Sequence, residues 1–311
     1  MSKSLGGVFF YENRISIITD GGAKGMVHVG IIEALKDYGI NIDYIAGTSS
    51  GSLVASLYAA GYTPNEILRI VNSNTKKILD YDKTIGFKLF KTIFNHKISI
   101  RGFIKGEKFE NLLRFYLKKK NIKCIKDIKF PLAIPVVNVK NGQIVYYTNS
   151  NINDLKNVCG TLSYYGKYYD DVPLCNNNGD LAEIVRASCS FPGVFVPKII
   201  GNNEYIDGGV RVNTPVKILK EMGADKVIAV SFNCNSNPNS QITNIIDISE
   251  QAMNILSHSL SNVEQNLADV NIRACMEDIS LLDFSKATVA AKRGYNIVAS
   301  NITFIKKKLG I

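Results

Sequence analysis

Two apolar runs near the N-terminus are each followed by a glycine-containing turn and then by a helical pattern. The first run, residues 14–19, has the apolar, β-branched composition of a buried strand. Gly21 and Gly22 follow it, and apolar residues then recur at helical spacing as far as Gly39. The run 43–46 leads in the same way into a second glycine-flanked turn and a second apolar helical stripe. This alternation of strand and helix predicts an α/β fold with a mainly parallel sheet.

The rest of the 311-residue chain also contains patterns that predict strands and helices. Further strands are predicted at 131–139, 143–147, 226–232 and 278–284, and further helices at 107–119, 181–189, 215–222, 245–267 and 286–308. Asn141-Gly142 predicts a hairpin turn, and the polar, Asn-rich stretch 149–180 is predicted to be a loop. The candidate site residues come from distant parts of the chain, which favours a single domain over 1–311 with an inserted cap at 76–123.

Positive charge is concentrated in that inserted segment. Residues 76–123 hold 14 Lys/Arg and four Asp/Glu, so they carry the entire formal charge of +10. The segment is also rich in Phe and Ile, and a basic, apolar composition suits an anionic membrane surface. The alternative is a lysine-rich solvated cap over an apolar cleft. Nucleic acid is not an expected partner, because no binding motif accompanies the charge.

Cysteine usage and hydropathy indicate a cytoplasmic protein that makes at most peripheral contact with membranes. The six cysteines are scattered without a Cys-x-x-Cys pair, which predicts free thiols in a reducing compartment. No signal peptide is recognisable, and no apolar run approaches the length of a transmembrane helix. The His and Cys spacings suit no metal, so neither a metal nor a cofactor is predicted.

The second turn carries the pattern Gly-x-Ser-x-Gly, formed by Gly47, Ser49 and Gly51. In this pattern a strand turns sharply into a helix and leaves the serine exposed at the tip. The flanking glycines tolerate the strained dihedral angles and allow close packing. The positive end of the following helix would favour an alkoxide or an oxyanion beside the serine. Ser49 is therefore a candidate nucleophile.

The first turn could supply backbone donors to the same site. Gly21, Gly22 and Ala23 would present N–H groups without a large side chain in the way, as an oxyanion hole requires. A dinucleotide phosphate loop is the rival functional interpretation, but the Gly-x-Gly-x-x-Gly spacing is incomplete, with Asp20 where its first glycine would stand. A tight turn that merely requires glycine is the structural alternative.

A serine nucleophile needs a group that takes its proton. His28 lies one turn into the first helix, where a packed side chain is the expected role. His96 lies among Lys and Phe in the basic segment, and His258 lies in a polar run of a predicted helix. Asp207 ends a short apolar run and is followed by Gly208 and Gly209. Burial could raise its pKa towards neutrality and make it a general base, although Asp-Gly is also a common turn former.

These three segments together resemble the patatin-like phospholipases, especially the bacterial members. That family has a Gly-Gly-x-Arg-Gly loop, a Gly-x-Ser-x-Gly elbow and an Asp-Gly-Gly/Ala motif, which align with residues 21–25, 47–51 and 207–209. Lys24 stands where the family usually has Arg. The likeness covers about 14–62 and 181–232 together with the C-terminal helix, and it is absent across 76–123.

The resemblance implies a three-layer α/β/α fold and hydrolysis of acyl esters in lipids without calcium. It implies that Ser49 is the nucleophile and Asp207 its partner, in a dyad without histidine. Backbone N–H groups around Gly21, Gly22 and Ala23 would hold the oxyanion, supported by Lys24. Phospholipid or another acyl-ester lipid is the expected substrate. Two alternatives stay open, a serine esterase with a Ser-His-Asp triad and a non-catalytic membrane-binding protein on the same fold.

Overall fold

The computed structural model describes residues 4–5, 8–9, 14–19, 21–78, 80, 100–150, 174–232, 248–249, 251–252, 255–256, 264–276, 278–280 and 282–311. Its strands are β1 (Ser4–Leu5), β2 (Val8–Phe9), β3 (Ile15–Thr19), β4 (Tyr44–Gly47), β5 (Leu132–Asn138), β6 (Ile144–Thr148), β7 (Leu174–Asn176), β8 (Lys198–Ile200), β9 (Asn203–Asp207), β10 (Lys226–Ser231) and β11 (Val270–Arg273). Its helices are α1 (Val27–Asp37), α2 (Ser50–Ala59), α3 (Pro64–Ile78), α4 (Glu107–Lys119), α5 (Leu181–Ser188), α6 (Val216–Glu221) and α7 (Ala287–Leu309).

Among the described residues, nine strands form one mixed sheet. The order is β11-β10-β3-β4-β5-β6-β7, and β9 pairs with both β5 and β8. Five neighbouring strands, from β11 to β5, run parallel to one another. Strands β6 and β9 run antiparallel to β5, so the mixed part of the sheet begins there. β1 and β2 pair separately as a short antiparallel ribbon.

Side chains of the central strands alternate between two cores. Ile17 and Ile45 point into the larger core, which they share with α1, α2 and α7. Their neighbours Ile18 and Ala46 point into the smaller core beneath α6. Successive residues of a strand face opposite sides of the sheet, and each of the two cores contains helix residues. Helices therefore cover both faces of the sheet. The three-layer α/β/α fold with a mainly parallel central sheet is therefore confirmed.

Two glycines let α1 and α7 pack in direct backbone contact. A Cβ at Gly30 would lie 1.7 Å from the carbonyl oxygen of Ala291, and one at Gly294 would lie 2.1 Å from that of Val27. Neither position has room for a methyl group. This contact fixes α1, and with it the turn that connects β3 to α1, against the C-terminal helix.

Several predicted elements differ from the structure. The strand predicted at 278–284 is wrong, because its described residues form turns and the start of a 3₁₀ turn at Phe284–Lys286. The edge strand is β11 instead, which alternates buried and exposed residues beside β10. Strand β7 lies inside the predicted loop 149–180. These short edge strands contain too few apolar residues to be recognised in the sequence. Pairing with neighbouring strands of the sheet determines their conformation.

Helix 245–267 and the cap at 76–123 were both predicted in parts of the chain that are only partly described. Residues 248–249, 251–252, 255–256 and 264–265 are helical. Residues 79 and 81–99 of the cap lie outside the described residues. The described helices include none with the length and apolarity that a membrane span requires.

The prediction that all six cysteines are free thiols is wrong. Cys124, Cys175 and Cys189 are free, whereas Cys275 is disulfide-bonded. Cys159 and Cys234 lie outside the described residues. Pairing depends on a Cα separation of about 4.4–6.8 Å, a quantity that spacing along the chain does not reveal.

Candidate active site

Ser49 occupies a strained turn between β4 and α2. Its φ is 53° and its ψ is −133°, an uncommon conformation for a residue with a side chain. The turn is so tight that a Cβ on Gly47 would lie 2.6 Å from the carbonyl oxygen of Gly51. The serine thus precedes the first residue of α2, at the positive end of a ten-residue helix.

Two neighbouring hydroxyl groups hold the backbone of this strained residue. Ser188 Oγ accepts a hydrogen bond from the Ser49 backbone N–H at 3.1 Å and donates one to the Pro135 carbonyl at 2.9 Å. Ser52 Oγ donates to the Ser49 carbonyl at 2.6 Å. The Ser49 N–H is therefore already bonded to Ser188.

The edge of β5 brings Asp207 to the serine. Strand β6 occupies one edge of β5 from Ala133 to Val137, so β4 and β9 share the other edge. β4 runs up this edge with Ala46 opposite Ala133, and β9 runs down it to place Asp207 opposite Val136. The carboxyl ends of the two strands therefore meet head-on. The Pro135 carbonyl lies in the gap between them and receives the Ser188 hydroxyl.

Asp207 is buried beside Ser49, with 1% of its surface exposed. The Gly209 backbone N–H donates to Asp207 Oδ1 at 2.8 Å. Oδ2 is buried without a partner at hydrogen-bond geometry, although the Ser49 hydroxyl is near enough to favour the charged form slightly. Burial raises the pKa of Asp207 to about 7 and outweighs the opposing effects of Gly209 and Ser49. The carboxyl group is thus suited to exchange a proton near neutral pH.

The glycine loop lies next to this pair. It follows β3, whose last residue, Thr19, is in register with Gly47 of β4. Gly21 and Gly22 adopt φ values of 91° and 42°, and a short 3₁₀ turn from Ala23 to Met26 follows, which includes Lys24. Gly22 and Ser49 line the same cleft. Asp20 lies outside the described residues.

Gly208, the remaining predicted support residue, packs against the gap between the ends of β4 and β9. A Cβ on Gly208 would lie 2.4 Å from the Pro135 carbonyl oxygen, so the turn after Asp207 closes directly over β5. Thr48, beside the serine, donates from Oγ1 to the Val212 carbonyl at 3.2 Å and so joins the elbow to the segment that follows the Asp-Gly-Gly turn.

An apolar cleft opens in front of Ser49. Its walls come from several distant segments of the chain. The lining residues are Gly22, Ser49, Ser50, Leu53, Phe109, Cys189, Phe191, Phe195, Leu282 and Phe284. A cleft with an apolar lining and one reactive polar group suits a substrate that is mostly hydrocarbon.

His28 is the one histidine among the described residues. It is buried, and its ring packs edge-on against Phe232 at a centroid distance of 5.7 Å. His96 and His258 lie outside the described residues. Within the described ranges, no group of three His, Cys, Asp or Glu side chains is placed to hold a metal ion.

Comparison with protein families agrees with this geometry. The sequence model of the patatin-like phospholipases matches residues 21–220, which is more than half of the chain and includes both turns and Asp207. The chain belongs to the patatin-like phospholipase family. The resemblance inferred from the motifs is confirmed, and with it the class of serine acyl-ester hydrolases.

Curated relatives of this patatin-like chain differ greatly in length. It is 26% identical over 283 residues to "Uncharacterized protein YqhO" of Bacillus subtilis, covering 86% of this chain and 89% of that protein. It is 26% identical over 296 residues to "Lysophospholipase NTE1" of Eremothecium gossypii, covering 87% of this chain. The chain spans only 17% of the length of that fungal relative.

Solved structures with a similar fold include VipD from Legionella pneumophila, with a TM-score of 0.48 and 16% identity over 96% of this chain and 69% of that one. Human GIVD cytosolic phospholipase A2 gives a TM-score of 0.46 and 11% identity over 96% of this chain and 59% of that one.

Arg186 is a site residue of this patatin-like chain that the sequence did not single out. It is 2% exposed, and its guanidinium donates to Ser190 Oγ at 2.7 Å and to the carbonyls of Lys105 and Val196 at 2.5 and 2.7 Å. It also lies over the ring of Phe195, a wall of the cleft. These bonds tie the segment before α4 to the segment after α5 on one side of the cleft.

Neither Ser188 nor Arg186 could be assigned a role from sequence. Both lie in the segment 186–193 that carries part of the family likeness, but their partners are 139 and up to 81 residues away along the chain. The helical spacing of apolar residues in α5 predicts that one face of this helix is buried, and this is the signal that the sequence offers.

Proposed function

We propose that this chain hydrolyses acyl esters of lipids with a Ser49–Asp207 dyad. One observation carries the proposal: a serine on a strained turn, at the positive end of α2, lies beside a buried carboxyl group whose pKa burial raises to about 7. A base with a pKa near the working pH is the most effective proton acceptor.

Ser49 Oγ attacks the acyl carbonyl while Asp207 takes the hydroxyl proton. The tetrahedral oxyanion is held by backbone N–H groups of Gly21, Gly22 and Ala23, with the positive end of α2 as a further stabilising field. The intermediate collapses to an acyl-enzyme, and the proton goes from Asp207 to the departing alcohol. Water activated by Asp207 then attacks the acyl-enzyme and releases the fatty acid.

A phospholipid or lysophospholipid is the substrate class that fits best. The apolar cleft accommodates hydrocarbon, and a curated relative is named as a lysophospholipase. The basic residues of segment 76–123 would hold the protein at an anionic membrane surface, where such substrates reside. Peripheral membrane contact is part of the same proposal, whereas the Cys275 disulfide removes the free-thiol argument for a cytoplasmic location.

The test is fatty-acid release from phospholipid vesicles. Ser49→Ala and Asp207→Asn should each lower release at least 10²-fold, because each removes a group from the reacting centre. Ser56→Ala, in the buried part of the same helix, and Asp225→Asn, at an exposed ion pair with Arg14, are matched controls that should retain activity. Undiminished release by either dyad variant would refute the mechanism.

Two further measurements separate the alternatives. Replacing His28, His96 and His258 by Asn together should leave release unchanged if the dyad is correct, whereas a Ser-His-Asp triad requires one of them. A fluorophosphonate probe should label wild type and not Ser49→Ala. Absence of labelling in wild type, together with intact vesicle binding, would indicate a non-catalytic membrane-binding protein.

A further inference from the structure

Ser50 directly follows Ser49 and is the first residue of α2. The Gly-x-Ser-x-Gly pattern leaves this position unspecified, so any role for its hydroxyl group has to be read from the structure. The side chain is buried, with 6% of its surface exposed, and Oγ has no hydrogen-bond partner among the described residues. A buried hydroxyl group that has lost its bonds to water and gained none in return costs free energy, and a ligand that completes those bonds accounts for it.

Location distinguishes the Ser50 hydroxyl from other hydroxyl groups in the same state. Three more among the described residues are buried without a partner, namely Ser56, Thr214 and Ser231. Of these four, Ser50 is the one that lines the cleft in front of Ser49. Leu53, three residues further along the same face of α2, lines the cleft as well. The unpartnered hydroxyl therefore belongs to the wall against which a substrate of Ser49 lies.

The surroundings of Ser50 favour an oxygen atom that carries negative charge. The residue begins a ten-residue helix, and the free N–H groups and the dipole of a helix create a positive field at that end. The adjacent donor, the Ser49 backbone N–H, is already bonded to Ser188 Oγ at 3.1 Å. Neighbouring Cα atoms are about 3.8 Å apart, so an oxygen on the carbon that Ser49 attacks comes within reach of the Ser50 hydroxyl.

We infer that the Ser50 hydroxyl donates a hydrogen bond to the carbonyl oxygen of the acyl ester and to the oxyanion that forms from it. The inference rests on the proposed function, because it takes Ser49 as the nucleophile. It makes Ser50 a catalytic residue that adds a side-chain donor to the backbone donors of Gly21, Gly22 and Ala23.

The hydrogen bond from Ser50 gains strength during the reaction. As Ser49 Oγ bonds to the carbonyl carbon, the electron pair of the C=O π bond moves onto the oxygen, and a hydrogen bond to a charged acceptor is the stronger one. When that pair returns and the C–O bond to the alcohol breaks, the hydrogen bond weakens again. Ser50 keeps its own proton throughout, so it lowers the barrier without entering the proton transfer of Asp207.

The experiment compares Ser50→Ala with Ser56→Ala and measures kcat/KM for p-nitrophenyl octanoate. Ser56 is the matched control, because it lies on the same helix, is buried and unpartnered in the same way, and does not line the cleft. Ser50→Ala should lower kcat/KM at least about tenfold, because it removes a donor to the oxyanion. Ser56→Ala should stay within about twofold of wild type, since it removes no contact with the substrate.

A thiono ester, in which sulfur replaces the carbonyl oxygen, distinguishes a bond to the oxyanion from support of the fold. Sulfur is a weak hydrogen-bond acceptor and gains little from the Ser50 donor. The ratio of octanoate to thiono-octanoate kcat/KM should therefore fall at least about threefold in Ser50→Ala and stay unchanged in Ser56→Ala. Neither substitution removes a hydrogen bond from the folded protein, so both variants should melt at or above the wild-type temperature. A slower Ser50→Ala with an unchanged ratio would overturn the inference.

Fluorophosphonate inactivation reports the same contact without turnover, because the phosphonyl oxygen takes the place of the oxyanion. It should be at least about tenfold slower in Ser50→Ala and unchanged in Ser56→Ala. Hydrolysis that survives Ser49→Ala would refute the proposed reaction and the role of Ser50 with it. Hydrolysis that requires Ser49 but is equally fast in Ser50→Ala and wild type would refute the role of Ser50 and leave the reaction standing.

Discussion

A buried carboxylate beside a serine lowers the stability of the folded protein whenever it is charged. The unfolded chain has an Asp207 pKa near 3.8, and burial raises the folded value to about 7. Between these values the folded state binds more protons than the unfolded state, so the contribution of Asp207 to stability is fully present below about 4 and is lost as pH rises through 7. Nearly complete burial causes this behaviour, and the backbone donor at Gly209 opposes it only in part.

Asp207→Asn removes that dependence on pH. The melting temperature of the variant relative to that of wild type should therefore rise between about pH 4 and pH 7 and stay constant above pH 7. Thermal unfolding across this range measures the difference. Asp225→Asn is the control, because Asp225 lies in an exposed ion pair whose hydrogen bonds lower its pKa. A difference that does not change with pH would contradict a raised pKa for Asp207.

Ser49 needs support from other side chains because its backbone is strained. Ser188 and Ser52 bond its N–H and its carbonyl, and Ser188 also satisfies the Pro135 carbonyl where neither β4 nor β9 reaches it. One hydroxyl group thus links the Ser49 turn to the gap in the sheet. This arrangement holds the serine without using its side chain.

At the scale of elements, two strand ends that meet on one edge of β5 create the site. α4 then supplies a wall of the cleft through Phe109. The N-terminus of α4 is capped from a distance, because the Asp80 carboxylate accepts hydrogen bonds from the backbone N–H groups of Gly106, Glu107 and Lys108 at 2.6, 2.9 and 3.2 Å. A carboxylate at this end also interacts favourably with the helix dipole.

Asp80→Ala should lower the free energy of unfolding by about 1–2 kcal/mol, since it leaves these helix N–H groups without their cap. Chemical denaturation measures the change. Glu107→Ala is the matched control, because it removes a negative charge from the first turn of the same helix and leaves the Asp80 cap in place. It should cost well under 1 kcal/mol. Equal losses in both variants would show that charge, and not the hydrogen bonds, stabilises this end of α4.

At the scale of the whole molecule, charge is segregated. Residues 76–123 carry the entire formal charge, and the end of α4 exposes Lys118, Lys119 and Lys120 next to the exposed ring of Phe115. Lys119 Nζ lies 4.5 Å from the centre of that ring. Basic and aromatic side chains on one surface are suited to anionic lipid headgroups.

On the proposed membrane contact, binding to vesicles that contain anionic lipid should weaken as salt rises. Replacing Lys118, Lys119 and Lys120 by Gln should weaken binding at least tenfold at low salt, since a basic residue near such a surface contributes about 1 kcal/mol. The control replaces Lys306, Lys307 and Lys308, three basic residues at the end of α7. Co-sedimentation measures both. Binding that ignores salt and lipid charge would rule out this contact.

The sequence by itself determined the alternating architecture of this protein and two of its turns. Apolar runs that end in glycine, followed by helical stripes, predict β3, α1, β4 and α2 because those signals are local. The same local signals predict a serine on an elbow and a glycine loop at one edge of a parallel sheet. The position of Asp207 was predicted through its motif, while its role as a proton acceptor stays a prediction.

The tertiary structure alone decided what surrounds these residues. Segments that are far apart in the chain are joined by the meeting of β4 and β9 on β5, by the hydroxyl bridge from Ser188 and by the Asp80 cap. The tertiary structure likewise decided the raised pKa of Asp207, because desolvation depends on every neighbouring element at once. A linear pattern records which groups a chain possesses, whereas their distances and exposure to water arise only when the chain has packed.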